Sequence, residues 1–262
     1  LDFQNETILI KGARDFHFEQ IVTLLEHKTH ETVLEINLNA ITHNLNFYKS
    51  KLNPSTKLMV MIKAFGYGSG DFEIAKLLEH HKVNYLGVAF SDEGIALKNA
   101  GITIPIMVLN PESTSFDAII NHQLEPEIYS IKGLKAFIKI AELKKITHYP
   151  IHIKIDTGMH RLGFQESDFP ELIELLTNNE LVKIKSILSH MATSDSIEYK
   201  DFSISQIQLF DKLSSELKAA LKINPIRHIL NTAGISNFPD AQFDMVRLGI
   251  GLYGISSDDD EQ

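Results

Sequence analysis

One lysine stands where a buried strand is predicted to end. Leu58–Ile62 is a short apolar run, and Lys63 follows it in the segment Lys63-Ala-Phe-Gly-Tyr-Gly-Ser-Gly70. We expect a lysine at this position to be partly desolvated, which favours the neutral amine that attacks aldehydes. Three glycines in the same segment allow backbone N–H groups to approach an anion closely. An amine beside an anion cradle indicates a site for an aldehyde that carries a phosphate, as pyridoxal phosphate does.

Length and composition limit the class of protein. The 262 residues are enough for one α/β barrel, which typically needs about 250. The net charge of −9 disfavours a nucleic-acid partner, and the absence of cysteine excludes disulfides, thiolate metal sites and a cysteine nucleophile. No apolar run approaches the roughly 20 residues of a membrane span, and no signal peptide is visible. We therefore expect a cytoplasmic enzyme domain that binds neither nucleic acid nor a membrane.

Short apolar runs alternate with segments of helical period through most of the chain. The predicted strands are Leu58–Ile62, Tyr85–Ala89, Ile106–Leu109, Glu125–Ile128, Ile151–Ile155, Ile184–Ser189, Arg227–Leu230 and Asp244–Leu248. The alternation favours a parallel sheet, and eight strands favour an α/β fold closed into a (β/α)8 TIM-like barrel. A doubly wound open sheet is the alternative, although no Gly-x-Gly-x-x-Gly motif follows the first strand.

The two ends of the chain depart from this pattern. Val33–Leu38 alternates like an extra half-buried strand, and Asn39 is the predicted cap of the following helix. Residues 1–30 have a strand-then-helix pattern of their own, and the polar residues 256–262 are predicted to form a linker. We therefore expect the barrel unit to span residues 31–255, with the leading segment outside it.

Residues able to do chemistry lie at or just after the ends of several predicted strands, where active sites of such barrels lie. Beside Lys63, these candidates are Tyr67, Lys154, Arg161, His190, Asn231, Thr232, Arg247, Gly249 and Ile250. Each has an ordinary alternative. Lys63 could be a solvated strand end, Lys154 the partner of Asp156 or another carboxylate, and Arg247 a structural ion-pair partner. His190 could be a core histidine and Thr232 a helix cap. No spacing indicates a metal site.

Four ordered motifs are similar to those of the alanine racemase family, which are fold-type III pyridoxal-phosphate enzymes. They are Val60–Gly70, Asp156–Gly163, Ser189–Asp195 and Asp244–Ile250. The resemblance covers residues 33–255. It implies pyridoxal 5′-phosphate as the cofactor, L- and D-alanine as substrates, and racemisation by two bases.

The resemblance also implies how the cofactor is held. Lys63 would bind it covalently and act as one catalytic base. Tyr67 and Thr232 would hold the phosphate together with the backbone of Gly249 and Ile250, and Asn231 belongs to the same cofactor-binding set. The family often has serine at the position of Thr232, and the hydroxyl is retained here.

Four further residues take roles from the same resemblance. His190 would lie against the cofactor ring, and Arg247 would face the pyridine nitrogen and keep it unprotonated. Arg161 would bind the phenolic oxygen of the cofactor and reach toward the substrate carboxylate. Lys154 matches a position that is carbamylated in many members, where the new carboxylate orients the arginine.

The resemblance also has implications for the two ends of the chain. In the family, the second base is a tyrosine from a C-terminal β-domain that reaches into the barrel of a partner subunit. This chain ends at Gln262, where that domain would begin, so we expect the cofactor-binding half of a homodimeric racemase, with little activity alone. Ile8–Arg14 and Phe18–Val22 resemble the end of a Mur-ligase C-terminal domain. That likeness implies a ligase–racemase fusion serving peptidoglycan synthesis.

Two other functions remain open. A decarboxylase of the same fold type would place an acid at the pyridine nitrogen, where this chain has Arg247. A pyridoxal-phosphate carrier made of the barrel alone would suit the length of the chain. Its signatures lack motifs such as Asp156–Gly163 and Ser189–Asp195.

Overall fold

The computed structural model describes residue 9 and residues 34–255. The chain divides into two units, residues 1–36 and residues 37–262. The predicted linker, residues 256–262, and nearly all of the leading segment, residues 1–30, lie outside the described residues. The barrel belongs to the second unit.

Eight strands alternate with eight helices in the described part of this unit. The strands are β1 (Lys57–Met61), β2 (Tyr85–Val88), β3 (Ile106–Val108), β4 (Glu125–Ile128), β5 (Tyr149–Lys154), β6 (Val182–Leu188), β7 (Ile226–His228) and β8 (Met245–Leu248). The helices are α1 (Leu38–Ser50), α2 (Phe72–His80), α3 (Ser91–Asn99), α4 (Phe116–Asn121), α5 (Ile131–Leu143), α6 (Phe169–Leu176), α7 (Lys200–Leu221) and α8 (Thr232–Asn237). Among these described helices, none combines the length and apolarity needed to cross a bilayer.

The strands form one parallel sheet that nearly closes on itself. Their order is β7-β6-β5-β4-β3-β2-β1-β8, and neighbouring strands in this order run parallel. The two end strands meet through backbone hydrogen bonds. Asp244 N donates to Arg227 O at 3.0 Å, and Arg247 N donates to Leu230 O at 3.0 Å. The predicted (β/α)8 barrel and its eight strands are therefore confirmed.

The barrel interior contains an apolar cluster and a polar cluster. The apolar cluster consists of Met59, Met61, Tyr85, Met107, Leu188 and Met245. The polar cluster consists of the buried residues Glu127, His152, Lys154, Ser186, His228 and Arg247. Because side chains alternate along a strand, His152 and Lys154 point to the same side of β5. The polar cluster thus extends along the interior toward the carboxyl ends of the strands.

The extra strand predicted over Val33–Leu38 is wrong. Residues 34–37 are irregular, and α1 begins at Leu38. The side chain of Asn37 accepts hydrogen bonds from the N–H groups of Asn39 at 2.9 Å and Ala40 at 3.2 Å. Asn37 is therefore the helix cap, and the predicted cap, Asn39, is wrong. A helix forms here in place of the predicted strand because its apolar side chains recur at helical spacing and become buried, as Ile41, Leu45 and Tyr48 do.

Candidate active site

One cavity of about 720 Å³ opens at the carboxyl ends of the strands. Its volume lies in the usual range for small-molecule sites. All ten candidates from the sequence line it: Lys63, Tyr67, Lys154, Arg161, His190, Asn231, Thr232, Arg247, Gly249 and Ile250. Within residues 34–255, no group of three or more histidine, aspartate or glutamate side chains is arranged to hold a metal ion.

A left-handed turn, Lys63–Tyr67, carries the lysine into this cavity. Three of its non-glycine residues have positive φ angles: 53° at Ala64, 54° at Phe65 and 55° at Tyr67. The left-handed conformation costs about 1–2 kcal/mol for each such residue. Strain of this kind concentrates at ligand sites, where the surrounding structure maintains it.

The expectation that Lys63 is partly desolvated is wrong for the chain as described. Lys63 follows the last residue of β1, and its side chain is exposed. Its amine lies 5.6 Å from the centroid of the Tyr67 ring, at the border of the cavity. The turn carries the lysine out of the buried strand, so the amine faces open space at the site.

Glu93 anchors the lysine turn to the end of β2. One carboxylate oxygen accepts a hydrogen bond from Ala64 N at 2.6 Å. The other accepts from Ala89 N at 2.7 Å and from Phe90 N at 3.1 Å. Glu93 was not among the residues predicted from the sequence. Its position three residues after Phe90, at the start of α3, is the spacing of a capping glutamate and could have drawn attention to it.

Two hydroxyl groups converge beside Gly249. Thr232 Oγ1 accepts from Gly249 N at 2.9 Å and from Gly251 N at 3.4 Å, which leaves its hydrogen to donate. A Cβ atom at Gly249 would lie 3.2 Å from Tyr67 Oη and 3.5 Å from Thr232 Oγ1. Burial raises the pKa of Tyr67, so the phenol keeps its proton and also donates. These donors and the bare backbone suit an anion.

Asn231 supports this arrangement from the start of α8. Its side-chain oxygen accepts from Gly234 N at 3.0 Å and from Ser194 Oγ at 2.7 Å. Asn231 therefore caps the helix whose first residue is Thr232. In the structure, the side-chain oxygen of Asn231 therefore helps to position the neighbouring hydroxyl of Thr232.

Arg247 is a buried cation on the wall of the cavity. Its guanidinium donates to Ser189 O at 2.6 Å, to Ile229 O at 3.0 Å and to His228 Nδ1 at 2.7 Å. Burial lowers the pKa of Arg247 to about 10, and the charge of Glu127 acts in the opposite direction. The guanidinium consequently stays protonated at neutral pH, and its position is fixed by two strand ends and a histidine.

A single chain of hydrogen bonds leads from Arg247 across the barrel. It runs from His228 Nε2 to Ser186 Oγ (2.9 Å), from Ser186 Oγ to His152 Nδ1 (2.7 Å) and from His152 Nε2 to Glu125 (2.8 Å). A guanidinium can only donate, so His228 Nδ1 must accept and its Nε2 carries the hydrogen. Every later bond then points the same way, ending on the carboxylate. We call this series the polar chain.

The two histidines nearest Arg247 are neutral. Burial, and then the charge of Arg247, hold the pKa of His228 well below its ordinary value. Burial also lowers the pKa of His190 to about 3, helped by the charges of Arg247, Lys154, Arg161 and Lys63. His190 Nδ1 lies 3.4 Å from the guanidinium. An imidazole placed among so many cations adds no positive charge of its own.

Asp156 organises the loop that carries Arg161. It accepts from Gly158 N and His160 N, both at 3.0 Å. Burial raises the pKa of Asp156, but these hydrogen bonds outweigh it and leave the pKa below its ordinary value. Gly163 has a φ of +138°, and a Cβ atom there would lie 2.5 Å from Asp156 N. The loop presents Arg161 as an exposed cation lining the cavity.

Lys154 forms a buried ion pair with Glu127. Its Nζ donates to Glu127 Oε1 at 2.9 Å. The other oxygen, Oε2, is buried and has no hydrogen-bond partner among the described residues. Glu127 also lines the cavity. Glu127 was not among the residues predicted from the sequence, although an ionisable side chain inside the predicted strand Glu125–Ile128 was a signal for it.

The fold and the cavity define a (β/α)8 barrel with an exposed lysine amine, two hydroxyl groups beside a glycine and a buried guanidinium at the carboxyl ends of its strands. A family model described as "Alanine racemase, N-terminal domain" matches residues 36–257. The chain belongs to this family. It is 36% identical over 225 residues to "Alanine racemase 1" of Oceanobacillus iheyensis, with 85% of this chain and 59% of that protein aligned. It is 37% identical over 227 residues to "Alanine racemase 1" of Caldanaerobacter subterraneus subsp. tengcongensis, with 85% and 58% aligned.

Solved structures give the same result. An alanine racemase of Clostridium difficile 630 superposes with a TM-score of 0.81 at 36% identity, covering 88% of this chain and 61% of that one. The alanine racemase of Bartonella henselae, described with covalently bound pyridoxal phosphate, has a TM-score of 0.75 at 27% identity, covering 85% and 60%. The chain thus spans roughly three fifths of the length of the relatives it matches.

Proposed function

We propose that this chain holds pyridoxal phosphate in the cavity and that the whole protein interconverts L- and D-alanine. The observation that carries this proposal is the convergence of all ten sequence candidates on one cavity. Family membership supports it, as does the covalently bound pyridoxal phosphate named for the Bartonella henselae relative. A second relative, from Clostridium difficile 630, is described in complex with cycloserine.

The residues present fit the cofactor. Lys63 offers an exposed amine that can bind an aldehyde. Tyr67 and Thr232 offer hydroxyl donors, and the space that a Cβ atom at Gly249 would fill is free for a phosphate oxygen. Arg247 offers a cation for the ring nitrogen on the wall of the same cavity. The backbone of Ile250, which lines the same space, completes the proposed phosphate site.

Arg247 determines what the site can do with an amino acid. Pyridoxal phosphate supplies a ring that withdraws electrons from the Cα atom of a bound amino acid. Arg247 only donates, so it would hold the ring nitrogen of the cofactor unprotonated and moderate this withdrawal. Moderate withdrawal would favour returning a proton to Cα over transamination or decarboxylation. His228 supports this role, because burial and the charge of Arg247 keep it neutral, so that its Nδ1 accepts from the guanidinium.

Racemisation needs one proton acceptor and donor on each face of Cα. Lys63 supplies the group on one face, and Arg161 holds the carboxylate of the substrate. The tyrosine on the other face belongs to the C-terminal domain of a partner subunit, in a homodimer. This assignment rests on the family resemblance. So does a role in cytoplasmic peptidoglycan precursor synthesis, with residues 1–30 as the end of a ligase domain.

Reductive trapping tests the cofactor site. The chain is incubated with pyridoxal phosphate, reduced with borohydride, and digested for peptide mass spectrometry. We expect one pyridoxyl group, on Lys63. Lys63→Arg should lose that label, whereas Lys135→Arg, at an exposed ion pair with Glu171, should retain it. Label spread over surface lysines, or equal labelling of both variants, would contradict the proposal.

A further inference from the structure

The ion pair between Lys154 and Glu127 lies at the inner wall of the cavity. Glu127 on β4 is in register with His152 on β5, and Lys154 is two residues further along the same strand. Both side chains therefore point into the barrel. They are almost completely buried, with 8% of the lysine side chain and 0% of the glutamate side chain exposed.

The negative charge of Glu127 determines whether a carbamate on Lys154 is favourable. A carbamate forms when a neutral amine nitrogen bonds to the carbon of CO₂ and releases a proton. The charge at Lys154 would then change from +1 to −1. Carbamylation would replace the attraction between Lys154 and Glu127 by a repulsion of similar size, in a place where little water screens the two charges.

Glu127 sets a negative charge against the cations of the cavity wall. Four cations act on His190: Arg247, Lys154, Arg161 and Lys63. Glu127 is paired with Lys154, it feels the charge of Arg247, and its buried Oε2 has no hydrogen-bond partner among the described residues. Burial raises the pKa of Glu127, and the charges of Lys154 and Arg247 offset only part of this rise. A buried carboxylate beside a buried ammonium is the arrangement in which each stabilises the other's charge.

We propose that Glu127 is a positioning residue, which keeps Lys154 an unmodified ammonium and takes the place of a lysine carbamate as the fixed anion of the cavity. This inference deepens the proposed function, since it concerns the same cavity. It departs from the resemblance, in which the position of Lys154 is carbamylated in many members. The negative charge of this site then comes from a glutamate side chain and does not require a reaction with CO₂.

Carbon-13 NMR of the whole chain in ¹³C-labelled bicarbonate tests this directly. The wild-type chain should show no lysine carbamate resonance. In Glu127→Gln the ammonium loses its counter-charge, and burial then favours the neutral amine that reacts with CO₂. We expect a carbamate resonance to appear in this variant at a bicarbonate concentration at which the wild-type chain shows none. Adding Lys154→Gln to the same variant should abolish it.

Two controls assign the effect to the buried pair. Glu171→Gln breaks the exposed ion pair with Lys135 and should produce no carbamate resonance. Glu127→Asp retains the charge and should behave as the wild type.

Each outcome decides the proposal. A carbamate on Lys154 of the wild-type chain overturns it, and this arm needs no variant. A folded Glu127→Gln chain without the resonance also overturns it, because Glu127 would not be what protects the lysine. Failure to trap pyridoxal phosphate on Lys63 would defeat the proposed function alone, since the NMR experiment contains no cofactor.

Discussion

Replacing Ser186 with alanine breaks the polar chain at its centre. The hydroxyl accepts from His228 Nε2 at 2.9 Å and donates to His152 Nδ1 at 2.7 Å. All three side chains are completely buried. Ser186→Ala therefore leaves one buried N–H donor and one buried nitrogen acceptor without a partner.

The size of the effect follows from these two groups. A buried polar group without a partner costs about 1–3 kcal/mol, so the variant should lose about 2–6 kcal/mol of its free energy of unfolding. For a domain of this size, each kcal/mol lowers the melting temperature by about 2–4 °C. We expect the midpoint to fall by at least about 4 °C.

Differential scanning calorimetry of the chain measures this loss against a matched variant. Ser214 is equally buried, but its hydroxyl makes only long bonds: it donates to Asp211 O at 3.3 Å and accepts from Arg227 at 3.4 Å. Arg227 keeps Asp211 as a partner when the hydroxyl is removed. Ser214→Ala should therefore cost less than about 1 kcal/mol. Equal losses for the two variants, or a stable Ser186→Ala chain, would refute the directional hydrogen-bond chain.

Three further results are expected. Gly163→Ala places a Cβ atom 2.5 Å from Asp156 N, and should cost at least about 2 kcal/mol more in urea unfolding than Gly101→Ala. At Gly101 φ is also positive, at +87°, but the space is open; equal costs would contradict the contact. The pKa of His190, about 3 in the folded chain, means that its imidazole stays neutral in NMR titrations down to about pH 4. The unfolded chain binds a proton at this histidine below about pH 6.5, so His190 lowers the free energy of unfolding as the pH falls from about 6.5 toward 3. A titration midpoint of His190 near pH 6 in the folded chain would contradict this. Glu93→Gln weakens the anchor of the lysine turn and should lower the affinity for pyridoxal phosphate about tenfold, whereas an unchanged affinity would show that the anchor does not matter.

The barrel could be predicted because each of its strands is encoded by a short apolar run that is visible in the local sequence. Every predicted strand has an observed counterpart with bounds within two residues, and this includes β4, which contains Pro126. The strand predicted at Val33–Leu38 failed because Asn37 could cap a helix just as well, and the buried face of α1 decided between the two. Alternation over six residues did not distinguish these outcomes.

The site residues also differ in whether a local sequence signal points to them. Residues adjacent to a strand end, such as Lys63 and Arg247, were predictable from their place in the chain. Glu93 and Glu127 were not, because each acts on a residue far away in sequence: Ala64 is 29 residues from Glu93, and Lys154 is 27 from Glu127. Only the register of neighbouring strands brings such partners together. The exposure of Lys63 depends on a left-handed turn, which no propensity predicts for Ala-Phe.

A crystal structure of the chain grown with pyridoxal phosphate tests the central claim most directly. We predict electron density continuous with Lys63 Nζ, a ring nitrogen within hydrogen-bond distance of Arg247, and a phosphate against the hydroxyls of Tyr67 and Thr232. Cofactor density elsewhere on the chain would contradict the account, as would a phosphate bound at Arg247 with Lys63 free.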